Sequence, residues 1–165
     1  MSLDFQNYQT EELIQIYSGV IKELKARNIL RTNNVIGELG EYLAMQHYNA
    51  SPNLPNLTRA PIGTENIDAI SRKGDRYSIK STSKNTTGVF YGLEPLGSSL
   101  PDSQKFEYVI ICQFDEDYCL KSIYEMDWAT FLKNKRWHSR MKAWNLVLTK
   151  KVQEQCKMIY NSENN

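Results

Sequence analysis

The sequence lacks most of what would mark a membrane, secreted or zinc-binding protein. No apolar run approaches the roughly 18 residues that span a bilayer. Met1 to Gln6 carries neither a basic stretch nor an apolar one, so no signal peptide is expected. The three cysteines, Cys112, Cys119 and Cys156, are odd in number and never spaced as CxxC. That argues against a disulfide framework or a zinc site, and for reduced thiols in the cytoplasm. An excess of charge is missing too: 20 Lys+Arg face 19 Asp+Glu, so any basic surface must come from uneven distribution.

What remains is an ordinary globular composition, 41% hydrophobic and 24% charged over 165 residues, enough for one domain with a real core. We expect a single domain over residues 1–160 and a disordered tail over 161–165. Apolar spacing predicts an amphipathic helix over Thr10 to Asn28, capped by Thr10, and serving as scaffold. Asn33 or Asn34 caps a second helix, Val35 to Tyr48, with apolar residues on two sides as in a sandwiched helix. Gly37, Gly40 and Ala44 make a smooth strip along it. Each glycine costs ~1 kcal/mol of helix propensity, which suggests that another backbone comes close. Glu41 borders that strip and is a candidate ligand or a solvated glutamate; Glu38 lies further round and is expected to be solvated.

Residues 50–65 hold three prolines and read as loop, with a short edge strand near Leu57 to Ala60. Asn66 to Ser71 and Asp75 to Ser81 then read as a β-hairpin around Arg72-Lys73-Gly74. With Gly74 in the left-handed position of a three-residue loop, Ser71 pairs with Asp75 and Asp68 faces Ser78. Lys80, two residues on, joins them, while Ile67, Ala69, Tyr77 and Ile79 fill the other face. A two-residue turn would instead pair Asp68 with Ile79 and scatter the group. A carboxylate, a hydroxyl and an amine together suit phosphodiester hydrolysis: the carboxylate holds Mg²⁺ and the ammonium orients water or neutralises charge at phosphorus. The bland alternative is an exposed Asp–Lys pair contributing ~0–1 kcal/mol.

Lys84 and Asn85 follow in a hydroxyl- and amide-rich segment of the kind that touches phosphates or simply forms a surface loop. Residues 92–105 read as a second loop. Phe106 to Phe114 should be a central strand, and Cys119 to Tyr124 a further one after an acidic turn. Asp127 caps a short helix through Leu132, Trp144 to Leu148 is a last strand, and Thr149 to Tyr160 a closing helix. From Trp128 to Gln153 there is no acid, yet Lys133, Lys135, Arg136, Arg140, Lys142, Lys150 and Lys151 all fall there. That is either a phosphate-backbone footprint or a basic face balancing acids elsewhere. Trp137, His138 and Trp144 are interleaved with these cations, and His138 reads as structural.

The helix G-E-L-G-E-Y-L-A, the hairpin with Asp68, and Ser78-Ile79-Lys80 together resemble the PD-(D/E)XK nuclease superfamily over about residues 33–125. The resemblance implies a restriction-endonuclease-like α/β core: a central mixed sheet of four to five strands flanked by helices. It also implies a metal-dependent endonuclease acting on DNA in restriction, defence or repair, with Mg²⁺ as cofactor and Mn²⁺ as substitute. By position, Asp68 would be the metal ligand, Lys80 the catalytic lysine, and Glu41 (or Glu38) the helix acid. Ser78 stands where the family usually has Glu, Asp or Gln. Some of its restriction enzymes carry Ser-x-Lys and take the acid from downstream. Glu94 lies fourteen residues past Lys80, but Gly92 and Pro95 oppose the helix it would need. The alternative is a catalytically inactive nucleic-acid-binding or complex-forming protein that keeps the fold. The residues do not distinguish DNA from RNA, and cutting both strands of a duplex would favour a homodimer.

Overall fold

The computed structural model describes residues 3–164. Helix α1 spans Thr10–Ala26 and α2 spans Val35–Ala50. Strands β1 (Leu57–Arg59), β2 (Ala69–Ser71), β3 (Arg76–Thr82), β4 (Tyr108–Phe114) and β5 (Leu120–Asp127) follow. Then come α3 (Trp128–Asn134), β6 (Arg136–His138), β7 (Ala143–Asn145), α4 (Lys150–Gln153) and β8 (Lys157–Asn161). Six strands form one sheet in the order β1-β2-β3-β4-β5-β8, and β6 pairs with β7 in a separate ribbon. Among the described residues only β3 and β4 pair in parallel. The protein is therefore mixed α/β, with a central mixed sheet flanked by helices.

Six strands agree roughly with the four to five expected, and β8 joins them because the closing helix over Thr149 to Tyr160 does not form. Only Lys150–Gln153 is helical, and the chain then pairs with β5 as β8, Asn161 opposite Ser122. Pairing along an open sheet edge overrides the local helical pattern. In the stretch expected as a tail, Asn161 ends β8 and a 3₁₀ turn covers Ser162–Asn164, and Asn165 lies outside the described residues.

Each sheet face has its own core. Ala44 and Tyr48 of α2 pack with Leu57, Ala69, Tyr77, Ile79, Ile110, Cys112, Phe114 and Ile123. On the opposite face Phe90, Phe106, Val109, Ile111, Tyr124, Met126, Phe131, Leu146, Leu148 and Val152 pack together. Asp127 caps α3 by accepting from the Thr130 N–H at 2.7 Å, and Asn34 caps α2 by accepting from the Gly37 N–H at 3.3 Å. Helix α1 departs from its expected cap and role. Gln9 caps it, its N–H donating to Glu12 Oε2 at 2.8 Å, and no residue of α1 is buried. Its apolar side opens onto a groove of about 510 Å³ shared with Val35, Ile36, Leu39 and Tyr118.

Candidate active site

The hairpin β2–β3 has the three-residue loop. Ser71 N–H donates to Asp75 O at 2.9 Å, Gly74 takes φ +90°, and Ala69 and Ile70 oppose Tyr77 and Arg76. That register continues to Asp68 N–H donating to Tyr77 O at 2.8 Å, so Asp68 stands opposite Ser78. Its carboxylate accepts the Ile79 N–H at 2.6 Å and the Ser78 hydroxyl at 3.4 Å, both through Oδ2. Ser78 is fully buried. Tyr77 and Ile79 point into the α2-side core, and Lys80 turns to the other face, its Nζ 4.9 Å from the centroid of the Phe90 ring.

Helix α2 brings Glu41 to the same end of the sheet. At Gly40 a Cβ would lie 1.8 Å from Ser81 Oγ, 3.1 Å from Ser81 Cβ and 3.4 Å from Cys112 Cβ, so the Ser81 side chain of β3 packs into the space that a larger residue on the helix would take. At Gly37 the crowding comes only from the capping Asn34, and at Gly40 from the side chains of Ser81 and Cys112, so at neither glycine is the crowding atom the other backbone that the sequence suggested. Glu41, Glu38, Ile67 and Asp68 line a cavity of about 220 Å³ with Arg31, Thr32, Asn34 and the segment 60–64. Ser78 and Lys80 lie beside that wall rather than in it, among the described residues.

Glu38, expected on the solvated side, is 4% exposed. Two arginines explain why a carboxylate is tolerated there. Arg31 Nε lies 3.3 Å and Arg59 Nη2 3.4 Å from Glu38 Oε2, while Arg31 Nη2 lies 3.1 Å and Arg59 Nε 3.7 Å from Glu41 Oε2. Burial nevertheless pushes the Glu41 carboxyl up to about 7, helped by the charges of Asp68 and Glu38 and opposed by both arginines. Asp68 is also raised, by burial; the Ile79 N–H, the Lys80 ammonium, the Ser78 hydroxyl and Arg31 pull the other way. Lys80 thus favours the charged form of Asp68, and the Asp68 charge in turn disfavours that of Glu41. Among the described residues no three Asp, Glu, His or Cys side chains converge as a ready-made metal cage.

No protein-family model matches the chain, and no curated protein does either.

The other candidate residues fall elsewhere. Lys84 and Asn85 are exposed just beyond β3. Lys133 is exposed at the end of α3, and Arg136, Arg140 and Lys142 are exposed on the β6–β7 ribbon. Lys135 is not free for a phosphate: its ammonium is paired with Asp102 and lies 4.0 Å from the Trp144 ring centroid. Glu94 does not reach the cavity, its carboxylate accepting from Ser98 Oγ at 2.6 Å. The ribbon connects to Lys80 through Phe90, whose N–H donates to Trp144 O at 2.6 Å while its ring supports the lysine. Arg31 and Arg59 were not legible as site residues. One sits in an interhelical loop and one on an edge strand, and only folding brings them to the acids.

Proposed function

We propose that the chain is a Mg²⁺-dependent endonuclease of the PD-(D/E)XK type, hydrolysing phosphodiester bonds in DNA in a restriction, defence or repair role. The observation that carries this reading is geometric: Asp68, anchored by the Ile79 N–H at 2.6 Å, lines the same cavity of about 220 Å³ as Glu41. Asp68 and Glu41 are hard oxygen donors whose charges are disfavoured by burial, which suits a hard divalent cation. They would hold Mg²⁺, or Mn²⁺ as substitute, with Glu38 behind them. A bound Mg²⁺ would polarise the phosphoryl oxygen and acidify a water. Ser78 hydrogen-bonds Asp68 and fixes the carboxylate, Lys80 orients water or offsets charge at phosphorus, and the exposed cations Lys84, Lys133, Arg136, Arg140 and Lys142 contact the backbone. Three free cysteines fit a reducing, cytoplasmic setting. No described helix is long and apolar enough to cross a membrane.

A second reading is a nucleic-acid-binding protein that keeps this arrangement without cutting. It is favoured by Ser78 where an acid is usual and by the arginines already compensating Glu38 and Glu41. Plasmid cleavage in Mg²⁺, abolished by Asp68→Ala and by Lys80→Ala, is the expected result. Salt-sensitive DNA binding without cleavage, unaffected by Lys80→Ala, would favour the second reading.

A further inference from the structure

Four ion pairs join two arginines to two glutamates at the cavity, and the two arginines are not equivalent. Arg59 is fixed: it sits on β1, and its Nη1 donates to Asn28 O at 3.2 Å. Its Nε is buried without a hydrogen-bond acceptor. Arg31 instead rises from the loop between α1 and α2, lines the cavity, and donates its hydrogen bonds to Glu38 at 3.3 Å and Glu41 at 3.1 Å. Through Glu41 Oε2 it already supplies positive charge to a carboxylate that lines the cavity with Asp68.

Resting on the nuclease reading, we propose that Arg31 is a displaceable resident cation that neutralises Glu41 until a divalent ion takes that carboxylate, and then turns to the phosphodiester. With a divalent ion at Glu41, the like-charged Arg31 guanidinium would be repelled from that carboxylate, while Arg59, held on β1, would remain beside Glu38. A guanidinium at the wall of a 220 Å³ cavity is a planar donor fork suited to phosphate oxygens. Arg31 therefore couples the two ligands: without nucleic acid it competes with the metal, and with nucleic acid it rewards metal binding. Such coupling between sites is reciprocal and commonly amounts to about 5- to 150-fold in affinity.

The test is a Mn²⁺ titration of the full chain, read by electron paramagnetic resonance of the free ion, without nucleic acid. Arg31→Gln should bind Mn²⁺ at least about fivefold more tightly than wild type, and should bind duplex DNA more weakly when Ca²⁺ is present. Arg31→Lys keeps the charge but not the fork, so its Mn²⁺ affinity should stay near wild type while duplex affinity falls. If wild type binds Mn²⁺ and Arg31→Gln binds it no more tightly, the displacement is wrong and the metal site stands. Equal tightening by Arg31→Lys would also overturn it, because charge would not be the competing factor. If neither wild type nor Arg31→Gln binds Mn²⁺, the nuclease reading falls and this inference with it.

Discussion

Glu41 sets two opposing effects against each other, and its pH dependence decides between them. Two guanidinium groups within 3.7 Å favour the carboxylate; burial, Asp68 and Glu38 favour the neutral acid. If the second set wins, the folded-state value is about 7 against 4.5 for the free side chain. Between those values the folded protein holds a proton that the unfolded chain has lost, so stability falls as pH rises. The difference corresponds to about 3 kcal/mol as a ceiling, trimmed to about 2 kcal/mol by solvent entering the cavity. The assay is urea unfolding of wild type and Glu41→Gln in EDTA at closely spaced pH values from 4 to 8. The wild-type-minus-variant stability should be level below pH ~4.5, decline through pH ~7 and level off again. A difference that is flat, or that rises with pH, would mean that the arginines dominate, and the reasoning would be refuted.

Glu38→Gln should cost about 2–4 kcal/mol, because it leaves two part-buried guanidinium groups short of charge. Glu23→Gln at the exposed Arg27 pair should cost under about 0.5 kcal/mol; thermal unfolding followed by circular dichroism would separate them. Gly40→Val should lower the melting temperature well below that of Gly19→Ala, since a Cβ at 40 meets Ser81 and one at 19 meets nothing. Asp102→Ala should destabilise by about 3 kcal/mol by leaving Lys135 unpaired, and should change tryptophan emission through Trp144, which lies against that lysine.

Local chemistry made much of the sheet readable. Gly74 dictated the hairpin loop and hence the partner of Asp68, Asn34 and Asp127 marked two helix starts, and the apolar run ending at Phe114 became β4. Misreadings came where distant chain decides. Residues 157–161 became a strand because β5 offered an edge, and Glu38 became buried because Arg31 and Arg59 arrive from other elements. Helix α1 has a convincing apolar pattern, yet nothing in its own spacing says that the core is already covered by α2. Lys135 looked like one more surface cation until Asp102 closed on it.

The parallel pairing of β3 with β4 requires a long crossover, and here residues 83–107 make it without a helix. That crossover is held down by bridges from Thr86 to Val147 and from Phe90 to Trp144. The platform beneath Lys80 is thus completed by chain synthesised more than fifty residues later. A nascent polypeptide that has emerged only as far as α3 would carry Asp68, Glu41 and Lys80 without the platform that steadies the lysine. The support of that lysine is then complete only once the residues around Trp144 and Val147 have emerged.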